Sequence, residues 1–233
     1  EILGDKITFS LNDGTSENLE VQKGLVELFD LTTDDEKAFV NIDISGSNEN
    51  VIKYLQNSPI NPKSYIKLRK ISGENSINLK LSFPLLVDLP TEKIKYESEV
   101  FIRQAIFTDI YQDFNIENFQ IDIKIDNSQV AYNGSGDLFG RIVNFEGKQI
   151  IINENVTEVI TGDYSLNHGV LSSMIPKMDM YFDGIVDIKF SINEDNDGFT
   201  KMDGMGTLEN LSIESSFLGR DLNLLNGKMR FLI

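Results

Sequence analysis

Long stretches of this chain place apolar residues at every second position. Ile77, Leu79, Leu81 and Phe83 alternate with Asn78, Lys80 and Ser82, and Phe119, Ile121, Ile123 and Ile125 alternate with Gln120, Asp122 and Lys124. Successive side chains of a strand point to opposite faces, so each run predicts a strand with one greasy and one wet side. Met178 to Ile192 repeats the device over a longer distance, with Met178, Met180, Phe182, Val186, Ile188, Phe190 and Ile192 in phase across Gly184.

In chain order, Lys6–Leu11 reads as a strand entering a hairpin turn at Asn12-Asp13-Gly14-Thr15, and Leu19–Leu31 as its return with a bulge at Gly24. Ala38, Val40, Ile42 and Ile44 form a third two-faced strand. Ser47 is placed to cap a short helix over Asn48–Gln56, and a second short helix fits Lys63–Lys70. Ile94–Phe107 predicts a long strand with Tyr96, Val100, Ile102 and Ile106 on one face. Strands are expected around Ile116–Ile125, Gln129–Tyr132, Asp137–Phe145 and Ile150–Asn153, and a helix near Leu166–Met174. After the turn Glu194–Gly198 come strands near Met205–Ser215, Leu222–Leu225 and Lys228–Ile233. Ala105–Ile123 is echoed by Ile213–Phe231, with Ile110, Phe114, Ile116, Ile121 and Ile123 matched by Leu218, Leu222, Leu224, Met229 and Phe231. Such an echo favours a sheet that grows lengthwise by repetition.

Composition narrows the function classes. The net charge of −16 disfavours phosphate backbones, so no nucleic-acid partner is expected. With no cysteine there is no thiol nucleophile and no thiolate metal site. His168 is the one histidine and sits in an ordinary loop context. Glu194–Gly198 is acidic but lacks the spacing and distal glutamate of a calcium loop. Lys63, Lys67, Arg69 and Lys70 form a basic cluster that a solvated helix face explains. The expectation is a non-enzyme without metal or cofactor. The start at Glu1 and the end at Met229–Ile233 read as cuts in a longer protein.

What covers the apolar faces is the functional question. Two sheets packed against each other would seal them, giving a structural or adhesion module. The helices are short and few, which also allows an open groove. The order of features resembles the AsmA-like family, in its YhdP-type branch. The likeness rests on Leu79–Asp88, the strand after it, Ile110–Phe114, Ile116–Phe119 and the glycine-flanked Val130–Phe139 stretch. The Asp-Gly turn upstream, the helix after Ser45-Gly46 and the tail Gly204–Ile233 fit the same order.

The resemblance implies a mainly β fold, an elongated, curled antiparallel sheet forming a hydrophobic groove with one or two short helices. It implies a periplasmic location, tethered to the inner membrane by an anchor outside these residues, and movement of phospholipid toward the outer membrane. Residues 1–233 would be one segment, with sub-modules 1–76, 77–153 and 154–233. The expected partners are phospholipid acyl chains. Their lining would be Ile77, Leu79, Leu81, Phe83, Val100, Ile102, Phe119, Ile121, Ile123, Ile125, Phe182, Val186, Ile188 and Phe190.

Overall fold

A computed structural model describes residues 2–16, 18–56, 71–108, 115–152, 155–174, 180–195, 198–215 and 222–232. They are mainly antiparallel β, with two short helices, as the alternation predicts. The chain divides into two units, Glu1–Tyr132 and Asn133–Ile233.

The first unit holds β1 (Ile2–Leu3), β2 (Lys6–Ser16), β3 (Leu19–Phe29), β4 (Lys37–Ser47), α1 (Asn48–Gln56), β5 (Glu74–Pro84), β6 (Lys95–Phe107) and β7 (Ile116–Asp126). The strands lie in chain order, each hydrogen-bonded to the next, and no ladder returns from β7 to β1. β8 (Gln129–Leu138) carries the chain onward. The second unit continues with β9 (Arg141–Ile152), β10 (Asn155–Leu166), α2 (His168–Met174), β11 (Met180–Asp195), β12 (Gly198–Ser215) and β13 (Leu222–Leu232).

This order contains a duplication. Three strands, a helix and three strands occur twice, as β2–β4, α1, β5–β7 and as β8–β10, α2, β11–β13. The echo between Ala105–Ile123 and Ile213–Phe231 falls on matching places, the β6–β7 and β12–β13 hairpins, with residues 109–114 and 216–221 outside the described residues. Each helix is capped by the same device. Ser47 Oγ accepts from the Asn50 N–H (3.4 Å), and Asn167 Oδ1 accepts from the Val170 N–H (2.9 Å).

Several local expectations are corrected. Asn12–Thr15 is not the hairpin turn. β2 runs through it to Ser16, with Asp13 at φ 59 kinking the strand, and the chain reverses beside Asn18 at φ 66. Gly24 pairs regularly with Leu11 and Ile42, and the bulge falls between Val21 and Lys23. Ile106 does not share the face of Val100 and Ile102. Gln104 takes φ 50, the register slips, and Ala105 turns inward (1% exposed) while Ile106 turns out (42%).

Phe139 and Gly140, at φ 56 and 75, form a two-residue turn within the strand expected at Asp137–Phe145. Gly134-Ser135-Gly136 lies inside β8, and Ile150–Ile152 ends β9. The β-branched run in β10 carries a strand that the alternation did not reveal, because Gly162 occupies the centre of its apolar side. Leu222–Leu225 and Lys228–Leu232 are one strand. The helix expected at Lys63–Lys70 lies outside the described residues.

Candidate functional site

Register decides which side chains share a face, and in the first unit it aligns the apolar ones in rows across the strands. Phe9, Val26, Val40, Leu81 and Tyr96 stand opposite one another from β2 to β6. Leu11, Gly24, Ile42, Leu79, Ser98 and Ile125 form the next row, reaching β7. Then come Val21, Ile44, Ile77, Val100 and Ile123, followed by Asn75, Ile102 and Ile121. The opposite face carries Asn41, Asp43, Lys80, Asn78, Glu97, Glu99, Lys124 and Asp122 in equivalent rows, with Arg103 paired to Asp122 and Lys124 to Glu99.

The apolar face is not uniformly covered. On β6 and β7 it is a packed core, with Ile102 at 0%, Phe119 at 1% and Ile123 at 2% exposure; Val100 and Ile121 are also buried. α1 inserts Val51 against Leu19 and Ile44, with Ile42 and Ile77 at the margin of that cluster. Elsewhere on the face Val40, Ile42, Leu79, Leu81, Phe83 and Ile125 are only half-buried. At the β2 edge Phe9 and Leu11 are about half exposed. Ten of the expected lining residues therefore share this face, five in its packed half (Val100, Ile102, Phe119, Ile121, Ile123) and five in its open half (Ile77, Leu79, Leu81, Phe83, Ile125).

α1 is fixed at its first residue by side-chain amides. Asn48 is fully buried; its Nδ2 donates to the Ile71 carbonyl (2.6 Å), its Oδ1 accepts from Asn75 Nδ2 (2.6 Å), and its N–H donates to the Gly73 carbonyl (2.9 Å). A carbonyl only accepts, so Ile71 fixes the orientation of Asn48, and Asn48 in turn fixes that of Asn75. Asn75, 3% exposed, is left with Oδ1 unpartnered on the apolar face. Gly73, at φ 116, allows this close approach, because a Cβ there would come within 2.9 Å of the Ala105 backbone.

The other four expected lining residues belong to the second unit. Val186, Ile188 and Phe190 of β11 share a face with Tyr164, Gly162 and Gly204 of the neighbouring strands. At Phe182 only the backbone is described, opposite Ile213. Val186 is buried, and Ile188 and Phe190 are half-buried. A Cβ at Gly162 would overlap the Phe190 ring, so that ring lies across the glycine. Tyr164 reaches out of this face to donate to the Leu138 carbonyl (2.5 Å).

Burial pushes the Tyr164 phenol up to about 12, with Arg141 opposing and Asp137 reinforcing the shift. A folded-state value above the ordinary value near 10 means the native protein holds this proton more tightly. Its stabilisation is intact below about pH 10 and is lost as pH rises toward about 12. An alkaline melt should show a loss of stability in that window, and Tyr164→Phe should flatten it. An equal alkaline loss in the Phe variant would exclude this origin.

His168 Nε2 faces Ser172 Oγ (3.1 Å) one helical turn away, and no group of His, Asp and Glu among the described residues is arranged to hold a metal. Glu194 and Asp195 flank the β11–β12 hairpin opposite Phe199 and Gly198, with residues 196–197 outside the described residues. The basic cluster at Lys63, Lys67, Arg69 and Lys70 also lies outside them.

An open cleft of about 840 Å³ in the second unit is bordered by the polar positions Asn144, Glu146, Thr161, Asp163, Lys189 and Asp203. Most of these are engaged with neighbours: Asn144 donates to Asp163, Thr161 to Glu146, and Arg230 to Asp203. Such an arrangement describes a hydrogen-bonded strand surface.

Sequence reasoning omitted the equivalent residues of β2–β4 from the lining, although Val40 and Ile42 carry the same alternation. It also missed Ala105 and Ile116, which reach the face through irregular backbone at Gln104 and Asn118. No helix among the described residues is long and apolar enough to cross a membrane. Comparison with protein-family models, with curated proteins and with solved structures gave no match.

Proposed function

We propose that this chain is a segment of a periplasmic lipid-transfer protein of the AsmA-like type, tethered to the inner membrane and moving phospholipid toward the outer membrane along an apolar face. The observation that supports the reading most is the half-covered face of the first unit. Its longest row, Leu11 to Ile125, runs across six strands, β2 to β7, in one sheet. At about 4.8 Å between strands, five spacings amount to ~24 Å. That exceeds the ~15 Å that one leaflet gives its acyl chains, half of a ~30 Å hydrocarbon core. An acyl chain can lie along a row with its head group at the wet edge.

Transport on such a surface is passive. Each CH₂ removed from water contributes about 0.8 kcal/mol, spread evenly along the chain, so holding a lipid needs no polar recognition site and sliding breaks no single strong bond. The charged opposite face stays in water. The test is organic extraction of the purified protein followed by mass spectrometry. Co-purifying phospholipid is expected, together with its loss in a variant carrying Leu79→Asp and Leu81→Asp. A folded, lipid-free wild type that takes up no lipid from vesicles would reject the reading.

A further inference from the structure

We propose that Arg141 and the cavity beside it form an anion subsite in the second unit, which takes the phosphate of a phospholipid head group. That the phosphate comes from a lipid rests on the acyl-chain reading above; the subsite itself rests on the residues around Arg141.

Three observations carry it. First, Arg141 stands on the apolar face, at the rim where β8 turns into β9. Arg141, Val143 and Phe145 share one side of β9, and Val143 lies opposite Tyr164, which lies opposite Ile188. Two residues further on, the same register sets Arg141 level with Leu166, whose partner is Val186. A lipid whose acyl chain lies against Leu166 and Val186 can set its phosphate at Arg141 without leaving the face.

Second, this cation is not engaged. Arg103 and Arg230 are each tied to an aspartate of the neighbouring strand. Arg141 is half-buried and forms no ion pair among the described residues, in a chain with 37 acidic residues against 21 basic ones. Asp137, which like Arg141 acts on the Tyr164 phenol, accepts instead from the Gly140 N–H (2.6 Å) inside the turn. The guanidinium keeps its planar fork of donors, a shape matched to two oxygens of a phosphate.

Third, the two copies of the duplication differ at this place. Leu19 opens β3 in the first copy, and Arg141 opens β9 in the second. Leu19 is 2% exposed and packs against Val51, so an apolar plug meets the helix there. Arg141 instead borders a cavity of about 610 Å³, together with Phe139, Gly140, Asn167, Gly169 and Val170. Asn167 commits its Oδ1 to the Val170 N–H, which leaves Nδ2 as a further donor on a residue of the wall. A plug exchanged for a cation and a space serves a ligand and adds nothing to packing.

The test is calorimetric titration of the chain with three probes. They are dihexanoyl phosphatidylglycerol below its critical micelle concentration, dihexanoylglycerol, which carries the same acyl chains without phosphate, and inorganic phosphate. The wild type should bind the phosphatidylglycerol at least about tenfold more tightly than the diglyceride, as one hydrogen-bonded charge contact gives. Arg141→Gln should abolish that difference and leave diglyceride binding unchanged. Arg230→Gln deletes the same charge elsewhere in the unit and should preserve the difference.

No loss in Arg141→Gln, or an equal loss in both variants, would overturn the subsite. Inorganic phosphate that binds as tightly as the phosphatidylglycerol, and needs Arg141, would overturn the head group as occupant in favour of the free ion. Failure of both acyl probes to bind fells the acyl-chain reading. Binding of inorganic phosphate that depends on Arg141 would then still support an anion site, and its absence would overturn that too. Circular dichroism of each variant confirms that binding is read in folded protein.

Discussion

Ile123→Asp will unfold the first unit, whereas Leu81→Asp will leave it folded and deprive it of lipid. Both residues lie on the same face, one strand alternation predicting both, yet they sit in its two different halves. Ile123 is 2% exposed, opposite Val100 of β6. The neighbour of a carboxylate there, across the ladder, is the apolar Val100. Burying it costs several kcal/mol after relaxation, to which lost packing adds about 2–5 kcal/mol. Against a typical stability of ~5–15 kcal/mol this is decisive.

Leu81 is half-buried between Val40 and Tyr96, so an Asp side chain there can reach water. Its cost should stay below about 2 kcal/mol. Urea melts of both variants, with bound lipid measured on the same samples, separate the two halves. Comparable destabilisation by both substitutions would mean that the face is a sealed core throughout.

The second large effect is expected at Asn48. Replacing it by Ala leaves the Ile71 carbonyl and the Asn75 amide without their partner, in a place with no exposure. Each of the two abandoned groups costs about 1–3 kcal/mol, so the variant should lose ~2–6 kcal/mol. The loss should be uneven. Hydrogen exchange should rise first in α1 and in residues 71–75, while β6 and β7 keep their protection as long as the unit stays folded. Uniform acceleration over the whole unit would show that Asn48 supports the sheet and not the helix in particular. Asn48→Asp keeps the acceptor for Asn75 but sets a buried carboxylate oxygen against the Ile71 carbonyl, so its loss should be at least as large as that of Ala.

The sheet was legible because strand alternation is a local property. Ile77–Phe83 and Phe119–Ile125 name their own faces, and register merely joins them. α1 was legible for a similar reason, since Ser47, the apolar spacing and the break after Gln56 are all within a dozen residues. The failures lie where one backbone angle changes the phase. Gln104 and Asn118 have positive φ, an uncommon state for residues with a Cβ, and nothing in their neighbours announces it. Asp13 shows the converse, an Asp-Gly pair that looks like a turn and serves as a kink. The division of the apolar face into a closed and an open half was not legible at all. Nor was the seat of α1, which is set by Asn48 meeting Ile71 and Asn75 across 23 and 27 positions of sequence.

The measurement that bears most directly on the central claim is site-resolved photo-crosslinking to lipid in living cells. A photoreactive side chain is placed in turn at Leu79, Lys80, Leu81 and Ser82, four consecutive positions of β5 that alternate between the two faces. If acyl chains travel on the apolar face, phospholipid adducts will appear at 79 and 81 and be absent at 80 and 82. Adducts at all four positions alike, or at none in a protein that is folded and correctly placed, would contradict the account.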